Sequence, residues 1–287
     1  MKARQFTFLL PLCLAATPLL AQDGMSSSAS KNLSKKDAEI VEDIGDIKEA
    51  EVKPIKWRTS IGAHADYTSN AKLTGNNSSS DVLFFPTLQG GFNAELGKGF
   101  TFDLDVKIES ALYSRYNERS FAGYSAAATL DWRPKPNLPR IYIGAEPYRY
   151  DSFDTGDLMT QAIGASAGTD WGFAFNHGNS LAYFGYTFTK YYTDPGIDNR
   201  SANKFIAGIT HQLRGQLYGQ ILYRFMYSEF DDISRNDAHH LVGVNFIYQV
   251  NRHLFGSLGG TFIDNNSTQT RASYQSLGAS LGVNWQF

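Results

Sequence analysis

Polar and apolar residues alternate along most of this chain. The last stretch shows it best: Leu277, Ala279, Leu281, Val283, Trp285 and Phe287 take every second position, and Ser276, Gly278, Ser280, Gly282, Asn284 and Gln286 fill the gaps. A period of two places the two sets on opposite faces of a β-strand. From residue 57 onward the same period predicts twelve strands, roughly 57–68, 81–96, 100–113, 120–132, 140–150, 159–174, 180–192, 203–213, 216–229, 239–250, 253–263 and 274–287. The third is the cleanest. Phe100, Phe102, Leu104, Val106 and Ile108 alternate with Thr101, Asp103, Asp105, Lys107 and Glu109. Four charged residues on one strand face exclude lipid and a dry sandwich core, and require bulk water or a wet interior.

The connections alternate in kind. Gly97-Lys98-Gly99, Asn176 to Asn179, Arg214-Gly215 and Asn251-Arg252 are short. The links at 69–80, 114–119, 151–158, 193–202, 230–238 and 264–273 are longer and polar, and the Arg133 to Pro139 link is proline-rich. Short turns at one end and long loops at the other describe an up-and-down barrel, and an even strand number leaves both chain ends on the short-turn side. Ten or fourteen strands are the alternative counts, because the fifth to seventh segments alternate poorly.

Upstream of residue 57 the period changes. Lys2 and Arg4 precede an apolar run, Phe6 to Leu20, with a cleavage point after Ala21, so residues 1–21 read as a signal peptide. Residues 22–56 read as a Ser-rich leader and a short amphipathic helix at 34–52. Ser34 and Asp37 open that helix, Ile40, Val41, Ile44 and Ile47 form its apolar stripe, and Pro54 stops it. The helix either plugs the barrel, pairs with a partner, or lies marginally stable at the rim.

Composition removes several classes. Outside the N-terminus no run of 18 uncharged apolar residues exists, so transmembrane helices are excluded. The one cysteine, Cys13, lies in the signal segment, which leaves the mature chain without disulfides, thiolate metal sites or thiol nucleophiles. Lys and Arg number 26 against 28 Asp and Glu, with no basic cluster, which gives no case for nucleic acid. Loss of Lys2 and Arg4 leaves 24 against 28. The 16 Tyr and 20 Phe suit aromatic girdles at both edges of a bilayer.

The terminal strand with its aromatic last residue resembles the closing strand of bacterial outer-membrane β-barrels. That resemblance covers residues 57–287. It implies an all-β fold, a single antiparallel up-and-down transmembrane β-barrel of about 12 strands preceded by the short periplasmic helix. It also implies that Phe287 and Trp285 act as the assembly signal read by the barrel-assembly machinery, and that outer-membrane lipid and lipopolysaccharide surround the wall. It singles out no subfamily.

With the apolar phase turned to lipid, the other phase faces inward. It carries His64, Asp66, Gln89, Asn93, Glu95, Asp103, Asp105, Lys107, Glu109, Glu146, Gln220 and Arg224. Asn245, Ser257, Thr261, Ser276, Ser280 and Asn284 follow on the last strands. The expected pore-lining set is His64, Asp66, Glu95, Asp103, Asp105, Lys107, Glu109, Glu146 and Arg224. The early wall is then acidic and the late wall small and polar, which predicts a passive channel for cations or neutral polar solutes. The alternative is a non-conducting structural or surface-interaction barrel whose inward charges pair across the lumen. No metal-spaced ligand set, nucleotide loop or cofactor motif is present, and the Asp-rich outer loops match no calcium spacing. His211 and His240 have no same-face serine two residues away on their own strands, which argues against lipase chemistry.

Overall fold

A computed structural model gives the fold, and it describes residues 55–287 apart from 74–78, 136–137, 177–178 and 195. The expected helix at 34–52 and the signal segment lie outside the described residues. Twelve antiparallel strands close on themselves: β1 (Ile55–Thr68), β2 (Asp81–Gly97), β3 (Phe100–Tyr113), β4 (Phe121–Trp132), β5 (Arg140–Ser152), β6 (Leu158–Phe175), β7 (Ser180–Asp194), β8 (Arg200–Arg214), β9 (Leu217–Phe230), β10 (Asn236–Gln249), β11 (Leu254–Ser267) and β12 (Tyr274–Gln286). Each strand pairs with its sequence neighbours, and β1 pairs with β12 from Ser60↔Gln286 to Thr68↔Gly278. Closure removes the unpaired edges that a lipid environment would not tolerate.

The strands run from 12 to 18 residues, longer than the ~9–11 that cross a bilayer, so their ends project past it. The first strand starts two residues before the expected boundary, and β8, β10 and β11 extend further into their loops than alternation alone marks. Those ends carry Arg200, Ser201, Asn236, Asp237 and Asn265, and the neighbouring strand rather than hydrophobicity holds them in the sheet. The turn Gly97-Lys98-Gly99 has φ of 86°, 54° and 80°, a left-handed run that glycine makes cheap.

The outward phase is apolar and exposed. Trp57, Phe100, Trp132, Phe175, Tyr248 and Trp285 ring the short-turn end, and Tyr67, Phe84, Tyr124, Phe153, Tyr192 and Tyr227 ring the long-loop end. These two belts sit where aromatic side chains bridge hydrocarbon and headgroups. The Phe287 amide donates to the Thr59 carbonyl at 2.9 Å, and the Phe287 side chain stays outward and 67% exposed.

The interior is packed rather than hollow along part of its wall. Inward Leu181, Tyr183, Ile206, Leu222, Leu241, Ile263 and Tyr274 form one buried apolar cluster on β7–β12. Leu83, Phe85, Ala111, Tyr113 and Phe121 form a second on β2–β4. The first long loop enters between them. Its Ala71 joins the β2–β4 cluster and its Leu73 joins the β7–β12 cluster, at 2% and 3% exposure. Two residues of one loop thus touch both walls at the outer mouth. Leu73 has φ of 51°, a costly backbone for leucine that its buried seat sustains.

Candidate functional site: the barrel interior

The inward phase of every strand is fixed by the pairing register. His64 and Asp66 project inward from β1, Glu95 from β2, Asp103, Asp105, Lys107 and Glu109 from β3, Glu146 from β5 and Arg224 from β9. They are not one cluster. His64 Nε2 lies 3.3 Å from Asp66, and Lys107 Nζ lies 3.1 Å from Glu109, each pair on alternate positions of one strand. Glu95 sits near the short-turn rim, exposed.

Asp103 and Asp105 do not form a bare acidic wall. They are 2% and 4% exposed, and Arg58 of β1 lies between them: its Nε donates to Asp105 Oδ1 at 3.1 Å and its Nη1 is 3.7 Å from Asp103. Asn93 donates to Asp103 at 2.8 Å. Asp131 of β4 lies against Asp103 and 3.7 Å from Arg140 Nη1. Arg140 in turn grips Asp170 of β6, its Nε donating at 3.0 Å, and Arg133 Nη2 approaches Asp170 at 3.5 Å. A band of alternating charge therefore runs along the wall from β1 to β6 near the short-turn end. Three arginines compensate four aspartates, which corrects the acidic wall expected from sequence. The partners follow the wall between nearby strands instead of spanning the lumen. Sequence alternation marks Arg58, Asp131, Arg140 and Asp170 as inward, but only the register shows that they meet.

The late wall also differs from expectation. Asn245, Ser257, Thr261, Ser276, Ser280 and Asn284 do face inward, and Thr68 Oγ1 lies 2.9 Å from Ser276 Oγ across the closing seam. The same wall also bears the apolar cluster, because Leu222, Leu241 and Ile263 occupy inward positions of strands that otherwise carry their bulk outward.

Inward tyrosines are seated over glycines of the neighbouring strand. A Cβ at Gly168 would stand 2.5 Å from the Tyr142 hydroxyl, and one at Gly123 would stand 2.5 Å from the Tyr150 ring. Tyr142 Oη is 2.6 Å from Thr187 Oγ1, so the ring lies flat across the wall. This keeps large side chains out of the axial space.

Water reaches the remaining interior along β3–β8. Glu146 points inward yet is exposed, and the cations acting on it are Lys107 and Lys204 of β8. Tyr148, Tyr150, Tyr191 and Thr189 are half-buried beside it. Near the outer mouth, Asp198 ends the β7–β8 loop's short helical turn. Burial pushes its carboxyl up, while Arg200 and Arg235 pull it back.

On the lipid face, Ser180 Oγ lies 2.8 Å from His211 Nδ1, an adjacent-strand pair that within-strand spacing does not reveal. Among the described residues, Ser180 is the hydrogen-bonding partner of His211.

A family described as "Putative beta-barrel porin 2" matches residues 162–287, which span most of β6 through β12. No curated protein matches the chain. Among solved structures the chain is similar to an anion-selective porin from Comamonas acidovorans, at 9% identity and a TM-score of 0.41, over 81% of this chain and 99% of the other. It is also similar to a KdgM porin in complex with disordered oligogalacturonate, at 10% and 0.46 over 79% and 99%. A NanC porin aligns at 8% and 0.49 over 78% and 98%. The chain thus forms a closed twelve-strand β-barrel, apolar and aromatic outside and charged inside, whose last seven strands match a family of β-barrel porins.

Proposed function

We propose that the barrel is a narrow passive channel for ions and small polar solutes. The observation that carries this reading is the water-exposed Glu146 inside the barrel, with Lys107 and Lys204 acting on it. A filled structural barrel would bury its inward charges in pairs, as this one does at Arg58, Arg140 and Asp170. Glu146 instead stands in solvent among protein walls, where a permeating ion meets it. Nothing in the sequence couples the barrel to an energy source, and the reading involves no catalytic step. The permeation path runs along β3–β8, because the first loop and the apolar cluster occupy the opposite side.

The remaining expectations fit the same reading. Residues 1–21 direct export and are removed, Trp285 and Phe287 present the terminal strand to the assembly machinery, and lipid and lipopolysaccharide cover the outward phase.

The test is single-channel recording of the refolded mature protein in a planar bilayer. Stepwise conductance is expected. Glu146→Gln is expected to shift ion preference toward anions, because it removes a negative charge from the lumen that acts against Lys107 and Lys204. Asp103→Asn with Asp105→Asn acts in the same direction by uncovering Arg58. A folded, heat-modifiable barrel that conducts nothing would overturn the channel reading.

A further inference from the structure

The hydrogen-bonded row crossing β5–β9 places five inward residues side by side. Glu146 pairs with Gly164, Gly164 with Tyr191, Tyr191 with Arg200, and Arg200 with Phe230. Arg200 is thus flanked by aromatic rings on both sides, 4.5 Å from the Tyr191 ring and 5.7 Å from the Phe230 ring. It is 6% exposed. Among the described residues no carboxylate lies within 4.0 Å of it. Its Nη1 donates to the Asp198 backbone carbonyl at 3.3 Å, the guanidinium also hydrogen-bonds the Tyr148 hydroxyl, and its Nε has no partner among the described residues.

Two other buried arginines of this barrel each hold a carboxylate directly. Arg140 holds Asp170, and Arg235, which also covers Phe230, holds Asp237 through Nε at 2.9 Å. A guanidinium withdrawn from water without a counter-charge is strongly unfavourable, because the lost hydration is not replaced by an ion pair. Two carboxylates of this region are Asp198, which acts on Arg200 from beyond ion-pair distance, and Glu146, three strands away along the row. The half-buried Tyr148 and Tyr191 stand along the row, their ring centroids 6.5 Å apart and meeting edge to face.

We propose that Arg200 is the anchor of a binding site for an organic carboxylate with a flat ring, entered from the outer mouth. The carboxylate takes the missing counter-charge position at Arg200, through charge-assisted hydrogen bonds to the guanidinium. The ring lies against Tyr148 and Tyr191, which supply apolar area and a face for stacking. Neutral solutes of the same shape gain only the ring contact, and carboxylates without a ring gain only the ion pair. The proposal deepens the channel reading by naming a solute class, and it rests on that reading only for access to the interior.

The test is calorimetric titration of the folded barrel in detergent with benzoate, benzamide and acetate, run beside channel recordings. Benzoate is expected to bind at least tenfold more tightly than benzamide or acetate. In Arg200→Gln the benzoate affinity is expected to fall about tenfold or more while benzamide is unchanged. Should that variant fail to show heat-modifiable folding, Tyr191→Ala serves in its place: it keeps the charge, removes the ring, and is expected to lower benzoate affinity while leaving acetate unchanged. Equal binding of benzoate and benzamide, undiminished benzoate binding in Arg200→Gln or Tyr191→Ala, or no benzoate binding at all would overturn the proposal. A barrel that conducts ions but ignores benzoate would overturn it and leave the channel reading intact. A barrel that binds benzoate without conducting would do the reverse.

Discussion

Arg140→Met tests the charged band directly. Arg140 is 3% exposed and stands between Asp170, at 8%, and Asp131, at 6%. Its removal leaves two carboxylates buried. Breaking a buried pair from one side costs ~3–5 kcal/mol, because the surviving charge is neither solvated nor paired. Arg133 remains 3.5 Å from Asp170, which places the expected loss at the lower end, about 3 kcal/mol. That corresponds to roughly a hundredfold or more in the folding equilibrium. The assay is reversible urea unfolding in detergent micelles, followed by tryptophan fluorescence; Trp132 and Trp171 sit next to Asp131 and Asp170 and report this region. The double variant Arg140→Met with Asp170→Asn removes one orphaned charge and is expected to recover about 1 kcal/mol or more relative to additivity. A loss below about 1 kcal/mol in the single variant, or strict additivity in the double, would show that water reaches these carboxylates and that the band is not a buried network.

Two further outcomes follow from the interior packing. Gly168→Ala places a methyl 2.5 Å from both the Tyr142 hydroxyl and the Tyr186 carbonyl, and is expected to cost ~1–3 kcal/mol in the same unfolding assay. Adding Tyr142→Phe restores part of that loss, and unchanged stability in Gly168→Ala would refute the tyrosine-over-glycine seat. Leu73→Asp puts a charge into the apolar cluster of β7–β12, so the first loop is expected to leave its seat and single-channel conductance to rise. Unchanged conductance would show that this loop does not narrow the path.

Most of the wall is legible in the sequence because lipid imposes one rule on every strand. Each outward position must be apolar, so the period of two survives from Trp57 to Phe287, and the strand number and the alternation of turns and loops follow. The weakly alternating β5–β7 segments have a physical cause. Tyr142 and Tyr191 need small neighbours, so Gly164 and Gly168 fill inward positions of β6 while Ala165 and Ala167 fill outward ones, and small residues on both faces blur the contrast. The interior obeys no such single rule. Whether an inward carboxylate is bare or paired depends on which residue stands opposite it two strands away, as Arg58 does for Asp105, and that depends on register, which sequence spacing leaves open. The same holds for Ser180 with His211, and for Leu73, a loop residue whose burial only the closed wall explains.

The division of labour between the two walls follows from this packing. A barrel of twelve strands encloses more space than its own inward side chains fill with an even layer. Here that space is divided unevenly. The first loop and the apolar cluster of β7–β12 fill one side, and the arginine–aspartate band stiffens the wall near the short-turn end. Polar groups left in solvent, Glu146 foremost, are then confined to the strip along β3–β8 that ends outside at Tyr148, Tyr191 and Arg200. Selectivity in such a strip depends on few residues, because a narrow path brings each permeating solute within reach of the same two lysines and one glutamate. A wide pore would average over its whole perimeter. For this barrel, exchanging Glu146 alone is expected to change ion preference more than exchanging both Asp103 and Asp105, although the latter carry twice the charge.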